Sequence, residues 1–132
     1  MITYSPIPGE NSSEDTPYTA FCFHGNGGTP HSCDESGRRY NTWEDFDKLK
    51  SILVNQMRCF VRTSVSDDIF LDYRKCILRK DGIYFKLFYD GYFITLCPTD
   101  SKQDDLYHYQ QDDTYYDKLE EIAKEVCARW AD

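Results

Sequence analysis

The chain has 132 residues, 40% of them apolar, and its 8 phenylalanines, 11 tyrosines and 2 tryptophans argue for a packed core over intrinsic disorder. With 23 acidic against 15 basic residues the net charge is −8, a balance that repels nucleic-acid phosphates and anionic lipid. No apolar run approaches the roughly 18–20 residues a membrane helix needs, and Met1–Pro6 has neither a basic nor an apolar leader region, so a secretory signal is not expected. The six cysteines therefore read as reduced thiols of a cytoplasmic protein.

In chain order, residues 1–17 carry Pro6, Pro8, Gly9 and Pro17 and read as an irregular lead-in to a single domain spanning 1–132. Tyr18–Phe23 is a short aromatic β-element, and residues 24–37 form a Gly-rich loop. Asn41 with Glu44, or Thr42 with Asp45, has capping-box spacing at the start of a helix. Its apolar stripe, Phe46, Leu49, Leu53, Met57 and Phe60, predicts a helix over about 42–60. Two Asp-Gly pairs, Asp81-Gly82 and Asp90-Gly91, punctuate β-rich runs, and Asp-Gly favours two-residue hairpin turns because both positions need φ > 0. The predicted register sets Leu78 opposite Phe85 and Leu96, and Cys76 opposite Leu87 and Ile94, giving one apolar face. A final helix over about 114–130 carries Tyr115, Leu119, Ile122, Val126 and Trp130 along one side. The expectation is an α+β domain: a three-stranded antiparallel meander over about 69–97 with both helices packed on one face.

Charge is unevenly distributed. Residues 1–41 hold five acids and two bases, 42–97 eight and nine, and 98–132 ten and four, so the segments carry −3, +1 and −6. In the last of these Asp100, Asp104, Asp105 and Asp112 alternate with Tyr107 and Tyr109. Asp113, Tyr116 and Asp117 continue the pattern into the helix, whose positive end favours the aspartates. Carboxylates interleaved with rings can present a basic groove with something resembling a nucleic-acid backbone. These nine residues are the candidate partner-binding set, and the partner expected is a protein with a basic surface. The second face of the meander carries Lys75, Lys86 and Arg79 beside Tyr84, Phe88 and Phe93, a combination that can stack bases, although the net charge opposes nucleic acid. The order of one helix, three strands and one helix is shared with double-stranded-RNA-binding domains, but the acidic start of the last helix is the reverse of what RNA contact needs. In architecture and charge the chain resembles some phage anti-CRISPR inhibitors that occupy the DNA-reading groove of Cas9. That resemblance implies an inhibitor of the anti-defence or immunity-protein kind.

One metal constellation is legible. Cys22, His24, His31 and Cys33 follow C-x-H-x₆-H-x-C, and residues two apart on a strand point to one side. If the two pairs flank a hairpin they supply a Cys₂His₂ set suited to structural zinc, which would make the Cys22–Cys33 loop an interaction element. No nucleophile, oxyanion hole and orienting acid come together in a recognisable pattern, so catalysis is not expected.

Overall fold

A computed structural model describes residues 2–8, 18–24, 40–68, 73–99 and 113–130. Six strands form one antiparallel sheet: β1 (Thr3–Pro8), β2 (Tyr18–His24), β3 (Phe60–Asp68), β4 (Tyr73–Lys80), β5 (Ile83–Tyr89) and β6 (Ile94–Pro98), in the order β1-β2-β6-β5-β4-β3. Two helices, α1 (Trp43–Ser51) and α2 (Asp113–Arg129), complete an α+β domain. The expected three-stranded meander, β4–β6, is therefore half of a larger sheet. The aromatic element 18–23 joins it edgewise, with Phe21 opposite Leu96 and Phe23 opposite Ile94. Residues 3–8, read above as irregular, form the outermost strand on β2. Pro6 and Pro8 suit that place, since an edge strand tolerates a missing N–H and is protected by it from further pairing.

The helix starts as its capping box requires. The Asp45 amide donates to Thr42 Oγ1 at 3.2 Å and the Thr42 amide donates to the Asp45 carboxylate at 3.1 Å, so of the two spacings the Thr42–Asp45 pair is the one used. Asn41 has a different task. It is buried, its side-chain oxygen accepts from the Ile94 amide at 2.8 Å, its amide donates to the Tyr92 carbonyl, and its carbonyl accepts from Tyr89 Oη at 3.1 Å. One residue, through its side chain and both of its backbone groups, thus ties the start of α1 to the β5–β6 connection. Replacing Asn41 with alanine leaves the buried Ile94 amide without its acceptor, and urea unfolding is expected to show a loss of about 2 kcal/mol.

The helix does not run to Phe60. After Ser51 it widens into a π-helical turn, Ile52–Gln56, closed by the Met57 amide on the Ile52 carbonyl at 3.0 Å. Arg58 then takes a left-handed φ of 58° and the Cys59 amide reaches back to the Leu53 carbonyl at 2.9 Å, a stop usually built with glycine. Phe60 opens β3 and is 65% exposed. It continues the helical period only by coincidence.

Asp81 and Gly82 both have positive φ, 52° and 81°, and the first hairpin has the expected register, Leu78 opposite Phe85 and Cys76 opposite Leu87. The second differs. Asp90 caps a four-residue connection, its carboxylate accepting from the Tyr92 and Phe93 amides at 2.9 and 2.8 Å. Leu87 therefore faces Leu96, and Phe85 faces Pro98. The slip is by two residues, an even number, so every side chain stays on its expected face.

Both helices lie on one face. Phe46, Leu49 and Leu53 from the α1 side and Leu119, Ile122, Ala123 and Val126 from α2 bury against Phe21, Phe23, Leu78, Phe85, Leu87, Ile94 and Leu96 of the sheet. The whole predicted stripe of α2, from Tyr115 to Trp130, is buried. At its rim, Arg74 pairs with Asp47 while its guanidinium lies 4.7 Å from the Trp43 ring, and Lys48 Nζ sits 4.1 Å from that of Trp130. No helix among the described residues is long and apolar enough to cross a membrane.

Candidate functional site

The face of the sheet away from the helices collects most of the polar chemistry of the strands. Alternation places Ala20, Cys22 and His24 of β2, Thr95 and Cys97 of β6, Tyr84, Lys86 and Phe88 of β5, and Lys75, Ile77 and Arg79 of β4 on it. Cross-strand pairing sets Ser5 beside Cys22, Cys22 beside Thr95, Thr95 beside Phe88 and Phe88 beside Lys75. In the neighbouring row Cys97, Lys86 and Ile77 stand side by side. Among the described side chains this face carries three basic residues, Lys75, Arg79 and Lys86, and no carboxylate.

Its groups are engaged with one another. Ser5 Oγ and His24 Nε2 are 2.7 Å apart, and the Phe93 ring meets the His24 imidazole edge-on with centres 6.4 Å apart. Thr95 Oγ1 and Cys97 Sγ are 3.0 Å apart. Lys86 is only 6% exposed, with its ammonium 5.2 Å from the centre of the Phe88 ring, and Arg79 lies 5.6 Å from that of Tyr84.

Of the zinc constellation, Cys22 and His24 share this face; His31 and Cys33 lie outside the described residues. The Cys22 thiol donates to the Phe23 carbonyl at 3.6 Å, and His24 Nε2 is the nitrogen that meets Ser5. No group of three or more histidine, cysteine, aspartate or glutamate side chains able to hold a metal ion occurs among the described residues. The five described cysteines are free thiols. Cys22 and Cys97 occupy neighbouring strands of the same face but stand diagonally, a separation of roughly 7–8 Å between backbones that is long for a disulfide.

The other cysteines belong to the core side. Burial raises Cys59 and Cys127 from the ordinary 9.0 to about 11, with Lys80 pulling Cys59 weakly the opposite way, and burial also raises Cys76. They are protonated, unreactive thiols at neutral pH. The folded chain holds these protons more tightly than the unfolded chain does. The stability they contribute is whole below about pH 9 and is lost as the pH rises through about 11. A Cys59→Ala/Cys127→Ala variant is expected to lose less of its thermal midpoint than the native chain between these two pH values, as followed by circular dichroism.

Of the acidic partner-binding set, Asp100, Asp104, Asp105, Tyr107, Tyr109 and Asp112 lie outside the described residues. Asp113 is the first residue of α2 and Asp117 is exposed on it. Tyr116 is half-buried, its ring edge-on to Tyr115 at 5.7 Å. Tyr115 in turn donates to the Tyr84 carbonyl and accepts from the Thr99 amide at 3.3 Å, tying the start of α2 to β5 and to the end of β6. Farther along, Glu120 accepts from the Tyr4 hydroxyl at 3.5 Å and Glu125 pairs with Arg129. Glu121, exposed and one turn beyond Asp117, is not in the predicted set; its (i, i+4) spacing from Asp117 is the signal that marks it.

No family model, curated protein or solved structure matches the chain, so its functional reading rests on its own residues.

Proposed function

We propose that the protein is a non-catalytic binding domain whose acidic C-terminal quarter occupies the basic groove of a nuclease or another nucleic-acid-binding effector, as an inhibitor of the anti-defence or immunity-protein kind. The observation that carries this reading is the division of labour on α2. Its apolar stripe is spent in the core, Glu120 and Glu125 have partners within the fold, and Asp117 and Glu121 face solvent one turn apart. Like charges at that spacing cost a helix about 0.2–0.5 kcal/mol, and here they belong to the segment 98–132, whose net charge is −6. The aspartates that precede the helix, from Asp100 to Asp112, continue the same sign.

The experiment is capture of host proteins on the immobilised chain beside an Asp104→Asn/Asp105→Asn/Asp112→Asn/Asp113→Asn variant, with washes from about 0.1 to about 0.5 M salt. A retained protein with a basic nucleic-acid site, released by salt and absent from the variant, supports the proposal. A partner held equally by both proteins at all salt concentrations would overturn it.

A further inference from the structure

The end of the outer sheet face that carries β3 and β4 differs in kind from the rest of this acidic molecule. Phe60 lies opposite Arg79 and Arg79 opposite Tyr84, so ring, guanidinium and ring form one row across three strands. Phe60 and Arg79 are exposed and Tyr84 is half-buried. A solitary exposed phenylalanine is ordinary on a protein surface, and a cross-strand arginine–aromatic pair is ordinary in a sheet. The surroundings of this arginine are not. Arg74 pairs with Asp47 and Arg129 with Glu125, whereas among the described residues Arg79 has no carboxylate partner, in a chain where acids outnumber bases 23 to 15. Lys75 shares its strand face, and exposed Arg58 enters β3 two residues ahead of Phe60. Asp81, in the β4–β5 turn, is the carboxylate nearest in sequence.

We propose that the row Phe60–Arg79–Tyr84 is a docking site for an acidic segment of a protein partner. The guanidinium, 5.6 Å from the centre of the Tyr84 ring, offers a planar fork that a carboxylate can meet with two hydrogen bonds. Phe60 offers an apolar surface beside it for a neighbouring ring or aliphatic side chain. Charge complementarity selects the occupant. A peptide with a few carboxylates senses mainly the cations within a Debye length of about 8–10 Å. A nucleic-acid strand brings a charge at every phosphate to a molecule of net charge −8 and is repelled as a whole. The site lies on the sheet face opposite the helices, so it stands or falls independently of the acidic surface on α2.

The probe is a fluorescently labelled short copolymer of glutamate, tyrosine and glycine with only a few carboxylates per chain, titrated against the full chain by fluorescence anisotropy. The expected result is saturable binding that Arg79→Ala weakens about tenfold or more and Phe60→Ala weakens severalfold. Arg79→Lys should restore it only in part, because the ammonium lacks the fork. Both alanine variants remove exposed side chains, and an unchanged thermal midpoint confirms that the fold is kept. The four-aspartate variant should bind the copolymer as the native chain does. Absence of saturable binding, or equal binding by native and both alanine variants, overturns the proposal. So does tighter binding of oligothymidylate than of the copolymer, which would make the row a base-stacking surface. A dimer that dissociates on Phe60→Ala without binding the copolymer would make it a contact between copies and likewise overturn it.

Discussion

Truncating Phe23 to alanine is expected to lower the free energy of unfolding by about 3–5 kcal/mol, a large part of the roughly 5–15 kcal/mol that holds a domain together. Phe23 is fully buried and lies in β2, which pairs with β1 on one side and β6 on the other. Opposite it stand Ile94 on β6, fully buried, and Tyr4 on β1, half-buried against the core. Because β2 is flanked on both sides, the strands cannot slide to refill the space the ring leaves, and the cavity adds to the lost transfer energy. Urea unfolding of the variant, compared at constant slope, measures the loss. A value under about 1 kcal/mol would mean that the β1–β2 hairpin is an accessory to the meander and not part of its core. Phe60→Ala serves as the contrast: an exposed ring at the start of an edge strand should change stability by no more than about 0.5 kcal/mol.

These two phenylalanines mark the boundary between what was legible in the sequence and what was not. Local patterns with a specific physical cause are found where they were expected: the apolar stripe of α2, the Thr42–Asp45 capping box, and the Asp81-Gly82 turn with its register. The aromatic element at 18–23 was recognisable as β, but nothing local says that its partner is β6, more than seventy residues on. Longer-range features were hidden for separate reasons. The end of the first helix has neither glycine nor proline; Arg58 takes the left-handed conformation instead, so the stripe seemed to continue to Phe60 and concealed β3. That strand also has register shifts after Val61 and Thr63, which break the period of two that announces a strand. In β1, Pro6 and Pro8 read as breakers because their tolerance at a sheet edge depends on a neighbour the sequence does not identify. The second Asp-Gly pair signalled a hairpin correctly but not its loop length, because Asp90 caps the turn with its side chain. Of the candidate site, the shared face of Cys22 and His24 followed from alternation alone. The row Phe60–Arg79–Tyr84 did not, since it exists only once β3 is in place.

Converting Asp104, Asp105, Asp112 and Asp113 to asparagine is expected to abolish partner capture, lowering affinity by about a hundredfold or more, while leaving the thermal midpoint within a few degrees of the native value. The magnitude follows from number. Individual rim charges contribute little, but four like charges facing a basic groove act together, and each also speeds association through the long-range field. The native complex should therefore weaken as salt rises, and the residual binding of the variant should be much less sensitive to it. The fold survives because the anchoring of α2 is apolar and lies elsewhere: Leu119, Ile122, Ala123 and Val126 are buried, and Tyr115 holds the first turn through the Tyr84 carbonyl. Neutralising Asp113 removes a favourable charge from the positive end of the helix, a cost of about 0.3–1 kcal/mol. A second variant, Asp117→Asn/Glu121→Gln, separates helix surface from preceding segment. It removes the like-charge pair, so stability should hold or rise slightly. A severalfold loss of affinity in that variant would place α2 itself in the contact, and full affinity would confine the contact to the residues before it.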